Sequence, residues 1–259
     1  MLQNWLKPLP ASLLKNMAAL PAAAFGKNLL LHSQNFPNLK GVRVALIGAG
    51  DKEANSVREA FYATMYPFSP GAVADLGNLR RTEPSVLIPV LLELLNSKIL
   101  PVLIANKNDL ARAQFLAYQE NKSLVNLAVV DESFSLAESP KDASVYSPLL
   151  QPRHPLLFHF GLVGFQTHQT APQHIDFLQK NNFDALRLGK SRAAIEETEP
   201  VLRDADLLAF HLSALKQCEA PGVEKPSPSG YFLEEACQLC RYAGMSDKLS
   251  SFGIYGYQL

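Results

Sequence analysis

The chain has 259 residues, of which 47% are hydrophobic, 19% charged and 9% aromatic, enough for a full globular core in one or two domains. Lys+Arg and Asp+Glu are both 24, so the net charge is zero. That balance argues against general nucleic-acid binding, which needs surplus cations, and against an acidic disordered chain.

The N-terminus is rich in Leu and Ala, but Lys7, Pro8, Pro10, Lys15 and Asn16 interrupt it. It reads as a surface helix packed on the domain, not as a signal peptide. Residues 1–40 make up this helical or extended segment, and 41–259 the domain. Val42–Ile47 is a predicted strand ending in Gly48-Ala49-Gly50. Ser56-x-x-Glu59 fits a capping box, which predicts a helix starting at Ser56, with Val57, Ala60, Phe61 and Met65 on one face. Val86–Leu95 is an apolar helix with Pro89 expected near its first turn. Leu100–Ala105 is a buried strand, Asp109–Glu120 a helix, and Leu124–Asp131 another strand. Leu156–Gly164, Phe183–Leu188 and Leu207–Leu212 repeat the strand pattern. Tyr231–Tyr242 is a helix, with Glu234 and Glu235 favouring its N-terminal dipole. Ser139–Pro155 and Gly222–Gly230 read as loops. No stretch reaches the roughly 18 uninterrupted apolar residues of a membrane span, so no membrane partner is expected.

Strands that are apolar on both faces and alternate with helices imply a mainly parallel sheet covered on both sides, a three-layer α/β/α arrangement. Ligands bind such sheets beyond the carboxyl ends of the strands. The informative segments are therefore GAGD at 48–51, NKND at 106–109, DESFS at 131–135 and HLS at 211–213.

Gly48-Ala49-Gly50 lacks the third glycine of a dinucleotide site, and Asp51 and Glu53 would repel a pyrophosphate. It reads as a tight strand-to-helix turn. Cys237-x-x-Cys240, with Cys218 and His211, has the composition of a zinc site, but the pair lies within a helix and reads as small buried residues on its face. His32, His154, His159, His168, His174 and His211 form no close metal-ligand spacing. His159 reads as a hydrogen-bonded core residue. The odd cysteine count points to a reducing compartment, most simply the cytoplasm.

The ordered set of segments resembles the ureohydrolases (arginase, agmatinase and formimidoylglutamase) and is most similar to the formimidoylglutamase-like branch. The resemblance runs from about residue 40 to 257. It rests on Val42–Ile47 followed by GAGDKEANSVREAFY, on Asp75-Leu76-Gly77-Asn78, and on Gly164-Phe165-Gln166-Thr167. It also rests on Arg187-Leu188-Gly189, on Glu199 to Asp206, on Ala220-Pro221-Gly222 and on Ser227-Pro228-Ser229-Gly230. It implies an arginase-like fold. In active members it also implies two manganese ions, held by His and Asp at the carboxyl ends of three strands, whose bridging hydroxide attacks a guanidinium or formimino carbon.

Against that pattern, Asn108 stands at a ligand His position. Asp131 is retained, while Ser133 and Ser135 replace His and Asp. The late Asp-x-Asp segment is His211-Leu212-Ser213. A Glu near the final strand gives way to Tyr255-Gly256-Tyr257. No histidine lies between Asp131 and His154, and Lys107 adds a cation nearby. The resemblance thus implies a degenerate centre with no manganese cofactor, Asp131 and His211 being the candidates for a single weakly held ion. The remaining cleft is expected to be lined by Asn106, Lys107, Asn108, Asp109, Asp131, Glu132, Ser133, Ser135, His211 and Ser213, and to suit a small amino-acid-like ligand. The chain also ends at Leu259, before the turn and last helix of the family; if the sequence is complete, a partner subunit or the N-terminal segment is expected to cover that face, and the resemblance implies a homo-oligomer or a family-related partner subunit. The expected role is non-catalytic: binding, regulation or assembly. The alternative is a metal-poor or metal-free hydrolase of linear amidine C–N bonds.

Overall fold

The computed structural model describes residues 2–119, 124–137 and 144–259. The strands are β1 (Leu6–Lys7), β2 (Leu30–Leu31), β3 (Val44–Ala49), β4 (Val73–Leu79), β5 (Leu100–Ala105), β6 (Val125–Val130), β7 (Leu157–Phe165), β8 (Asp184–Arg187), β9 (Leu207–His211) and β10 (Ser251–Tyr255). They form one sheet in the order β1-β4-β3-β5-β10-β9-β6-β7-β8, with β2 also pairing β4. Every pairing is parallel except that of β1 with β4. The helices are α1 (Ala11–Ala18), α2 (Asp51–Tyr62), α3 (Pro84–Asn96), α4 (Leu110–Leu116), α5 (Ser147–Leu150), α6 (Pro172–Lys180), α7 (Leu188–Ala193), α8 (Glu199–Arg203) and α9 (Leu233–Gly244).

Alternate residues of each strand face opposite sides, and both sides are apolar. In β6, Leu127 and Val129 belong to the apolar cluster that includes residues of α3, α4 and α6, while Ala128 and Val130 belong to the one that includes residues of α7, α8 and α9. Helices α1 and α2 cover the far end of the sheet through Leu13, Met17 and Tyr62. The result is the expected three-layer α/β/α sandwich with a mainly parallel sheet. Among the described residues, no helix is long and apolar enough to cross a membrane.

Several boundaries differ from the sequence reading. Helix α2 begins at Asp51, not Ser56. Gly50 turns the chain with φ +109°, a conformation that only glycine adopts cheaply, and Asp51 and Glu53 then favour the helix dipole. Its first turn is polar, so apolar periodicity did not reveal it. Helix α3 starts at Pro84, whose fixed φ suits a first turn, which leaves Pro89 inside the helix. Helix α9 starts at Leu233, where Glu235 accepts the Phe232 backbone N–H at 2.8 Å. Strand β4 and helix α6 were not anticipated. The Ser139–Pro155 loop contains α5, and its residues 139–143 lie outside the described residues, as does Glu120 of the Asp109–Glu120 helix. Cys237 is exposed, not buried, because α9 turns it to solvent.

One buried ion pair joins α2 to β4. The Arg58 guanidinium donates from Nε to Asp75 Oδ2 at 2.7 Å and from Nη2 to Asp75 Oδ1 at 3.0 Å. Both side chains are fully buried. Arg58 also donates to Asn78 Oδ1 at 2.5 Å and to the Gly77 carbonyl at 2.9 Å, and Tyr62 donates to Asp75 Oδ2 at 2.7 Å. Breaking one half of such a pair strands a buried charge. Asp75→Asn should therefore lose about 3–5 kcal/mol of stability in urea denaturation, whereas Arg58→Met/Asp75→Leu should lose clearly less than the sum of its two single changes.

Candidate functional site

Strands β5, β10, β9 and β6 are consecutive neighbours, so the segments that follow them meet at one place on the carboxyl edge of the sheet. Asn108 follows β5, Gly256 and Gln258 follow β10, Ser213 follows β9, and Asp131, Glu132 and Ser133 follow β6. With Val223, Glu224 and Lys225 from the 222–230 loop, they line a cleft of roughly 370 Å³.

His211, the last residue of β9, lies under the floor of this cleft and is 1% exposed. Both ring nitrogens are engaged. Nδ1 is 3.1 Å from Asn108 Oδ1, and Nε2 is 2.6 Å from the Tyr146 hydroxyl. Asn108 Oδ1 only accepts, so Nδ1 carries the proton and Nε2 accepts from Tyr146 O–H. The ring also stacks on Tyr255, with centroids 5.3 Å apart and planes at 28°. Burial pushes the imidazole below its ordinary range, against the pull of Asp131. Burial, with Asp131 adding to it, holds the Tyr146 phenol far above its usual range and hence protonated. Asn108–His211–Tyr146 is therefore a neutral hydrogen-bonded chain.

Above it, Asp131 Oδ1 accepts from the Ser213 hydroxyl at 2.7 Å and from the Glu132 backbone N–H at 2.7 Å. Glu132 is 7% exposed and accepts from Gln169 Nε2 at 2.8 Å. Burial, then the Asp131 charge, pushes its carboxyl up to about 7, although hydrogen bonds from Gln169 and Ser227 oppose this.

Of the residues expected at the cleft, Asn108, Asp131, Glu132, Ser133 and Ser213 line it, with His211 beneath. Asn106 does not: it packs against Gly50, where a Cβ would come within 2.8 Å of Asn106 Cγ. Lys107, Asp109 and Ser135 do not line it either, and all three are exposed. The cleft's lysine is Lys225, which the sequence reading placed only in an overlying loop. Tyr146 was missed as well, since nothing local to it signals a partner on β9. His159 is half-buried, not in the core, and its Nε2 lies 2.9 Å from Asp184 Oδ2.

Two manganese ions need several anionic or imidazole donors with free lone pairs. Here the cleft carboxylates Asp131, Glu132 and Glu224 are accompanied by the Ser133 and Ser213 hydroxyls and by no free imidazole, since both nitrogens of His211 are already bonded to neutral groups. Among the described residues, no three His, Cys, Asp or Glu side chains are grouped to hold a metal ion. The donor set does not fit a two-manganese centre.

No protein-family model matches this sequence, and no curated protein does. Solved structures do match. Trypanosoma cruzi formiminoglutamase with Mn²⁺ is 17% identical, with a TM-score of 0.72 over 86% of this chain and 91% of that one. Formimidoylglutamase from Bacillus subtilis is 15% identical, with a TM-score of 0.69 over 84% and 80%. The agmatine ureohydrolase of Thermoplasma volcanium is 16% identical, with a TM-score of 0.68 over 96% and 89%. The chain has the arginase-like fold. At these identities the likeness establishes the fold and leaves the chemistry to the site.

The buried groups make two pH predictions of opposite sign. Folding keeps His211 below its ordinary value of 6.5, so the unfolded chain takes up the proton first and stability falls as pH drops below 6.5. His211→Gln can still donate to Asn108 and accept from Tyr146, so its melting temperature should fall less than the wild type's between neutral and mildly acidic pH. Glu132 is raised from 4.5 to about 7, so its contribution weakens stability as pH rises through that interval. Relative to wild type, Glu132→Gln should gain about 1–3 kcal/mol on going from acidic to mildly alkaline pH, measured by chemical denaturation.

Proposed function

We propose that this chain is a non-catalytic binding protein on an arginase-like fold, whose cleft takes a small amino-acid-like zwitterion without metal. The observation that carries this reading is the neutral Asn108–His211–Tyr146 chain: it occupies the centre of the carboxyl edge with side-chain hydrogen bonds that leave no imidazole lone pair free. What faces the cleft is a divided charge pattern. Asp131, Glu132 and Glu224 offer acceptors to a cationic group, and Lys225 offers a counter-charge to a carboxylate. Ser133, Ser213 and Gln258 add neutral donors and acceptors for orientation.

A hydrolase of amidine C–N bonds is the competing reading. Without a Lewis acid, general acid–base catalysis supplies only about 10²–10⁴-fold.

Thermal shift and calorimetry separate the two. Binding to the native state raises stability with ligand concentration, so a real ligand moves the melting temperature. Manganese and a chelator should each leave it unchanged. Formiminoglutamate or arginine should raise it more than agmatine, which lacks the carboxylate, and Lys225→Met should abolish that difference. Strong stabilisation by manganese, together with release of formamide or urea, would establish the hydrolase instead.

A further inference from the structure

A second cavity, of roughly 360 Å³, lies beyond the carboxyl ends of β7 and β8 and shares no lining residue with the cleft. The two walls are joined where the Gln166 backbone N–H donates to the Glu132 carbonyl at 2.7 Å. Gln166 Nε2 also donates to the Ser229 carbonyl at 3.0 Å, which ties the end of β7 to the 222–230 loop.

Its charge is the inverse of the cleft's. The cleft lining carries three acids and one lysine, whereas this one carries Arg187 and Arg192 and no carboxylate. Arg187 ends β8, and its guanidinium has no hydrogen-bond or ion-pair partner among the described residues. Arg192, on α7, is held in place. Its Nε donates to Glu235 Oε1 at 2.8 Å and to Oε2 at 3.1 Å, and its guanidinium lies over the Phe232 ring, 5.0 Å from the centroid. Those contacts use Nε and one face of the group, so the N–H donors of Nη1 and Nη2 remain. Thr167, His168 and Ser229 add two hydroxyls and an imidazole, none bonded through its side chain to another described residue. The two arginines, Thr167 and His168 are exposed and Ser229 is half-buried, so all of these donors are open to a ligand. They outnumber what a carboxylate can accept, since one guanidinium fork already fills its two oxygens. A phosphoryl group has three acceptor oxygens and up to two negative charges, enough to engage both guanidiniums and the hydroxyls. Glu235 balances Arg192, which leaves Arg187 as the cation that attracts an anion.

We propose that this cavity binds the phosphoryl group of a small phosphate ester or of free phosphate. Arg187 supplies the uncompensated charge, Arg192 a pre-positioned pair of donor nitrogens, and Thr167 and Ser229 the neutral donors. None of these residues lines the cleft, so the site stands whether or not the cleft reading holds.

The test is an amide-resolved NMR titration of the full chain with methyl phosphate and with inorganic phosphate, at constant ionic strength in a chloride buffer. Saturable shifts are expected at the Thr167, His168 and Gly189 backbone amides, with the Ser213 and Gly256 signals of the cleft unmoved. Saturation by both probes marks a site for phosphate esters, and saturation by inorganic phosphate alone a site for the free ion. Acetate should bind about tenfold or more weakly, because it leaves donors unused. Arg187→Gln changes an exposed side chain without a protein partner and should weaken phosphate binding about tenfold or more while the spectrum stays folded. Lys190→Gln, which removes an exposed cation of the same helix that does not line the cavity, should leave binding unchanged. Shifts that saturate with neither probe, acetate binding as tightly as phosphate, or an equal loss in Lys190→Gln and Arg187→Gln would overturn the proposal.

Discussion

A fully buried imidazole stays neutral unless a counter-charge touches it, and a neutral imidazole has one N–H and one lone pair to place. In His211 both are placed on neutral partners. Asn108 takes the N–H, Tyr146 supplies the proton for the lone pair, and the Tyr255 ring covers the face. Asp131 lies 4.0 Å from Nδ1, outside hydrogen-bond range, and gives its Oδ1 to Ser213 instead. The geometry of the cleft follows. Its centre is held by hydrogen bonds between side chains, and Asp131, Glu132 and Glu224 line it together with Lys225.

The scaffold beneath is held by a different device. Arg58 and Asp75 form a two-pronged pair with no solvent access, and Tyr62, Asn78 and the Gly77 backbone satisfy what remains. These residues lie in the same segments, the helix after the first predicted strand and Asp75-Leu76-Gly77-Asn78, that carry part of the resemblance. They do structural work at one end of the sheet, away from the cleft lining. The residue types at the cleft can therefore vary without disturbing the pair that fastens α2 to β4, which does not depend on that edge.

The main strands were legible because burial on both faces writes a continuous apolar run into the sequence, as in Leu100–Ala105 and Leu124–Asp131. Strand β4 was harder, since Asp75 and Asn78 interrupt it and are satisfied by Arg58 and Tyr62 of α2. Helix α2 was misplaced by five residues because its opening turn is polar and is set by Gly50. The polar edge was legible in outline: Asn108, Asp131, Glu132, Ser133 and Ser213 were anticipated from strand ends and share one cleft.

By itself the sequence determined the three-layer parallel architecture and the polar residue types that follow its strands, because periodicity and residue type are local properties. Only the tertiary structure decided that Tyr146 meets His211, that Lys225 and not Lys107 lines the cleft with Asp131, and that Asn106 packs against Gly50. Those meetings depend on where loops return over the sheet. That path is set by packing among segments far apart in the chain, and no short stretch of residues encodes it.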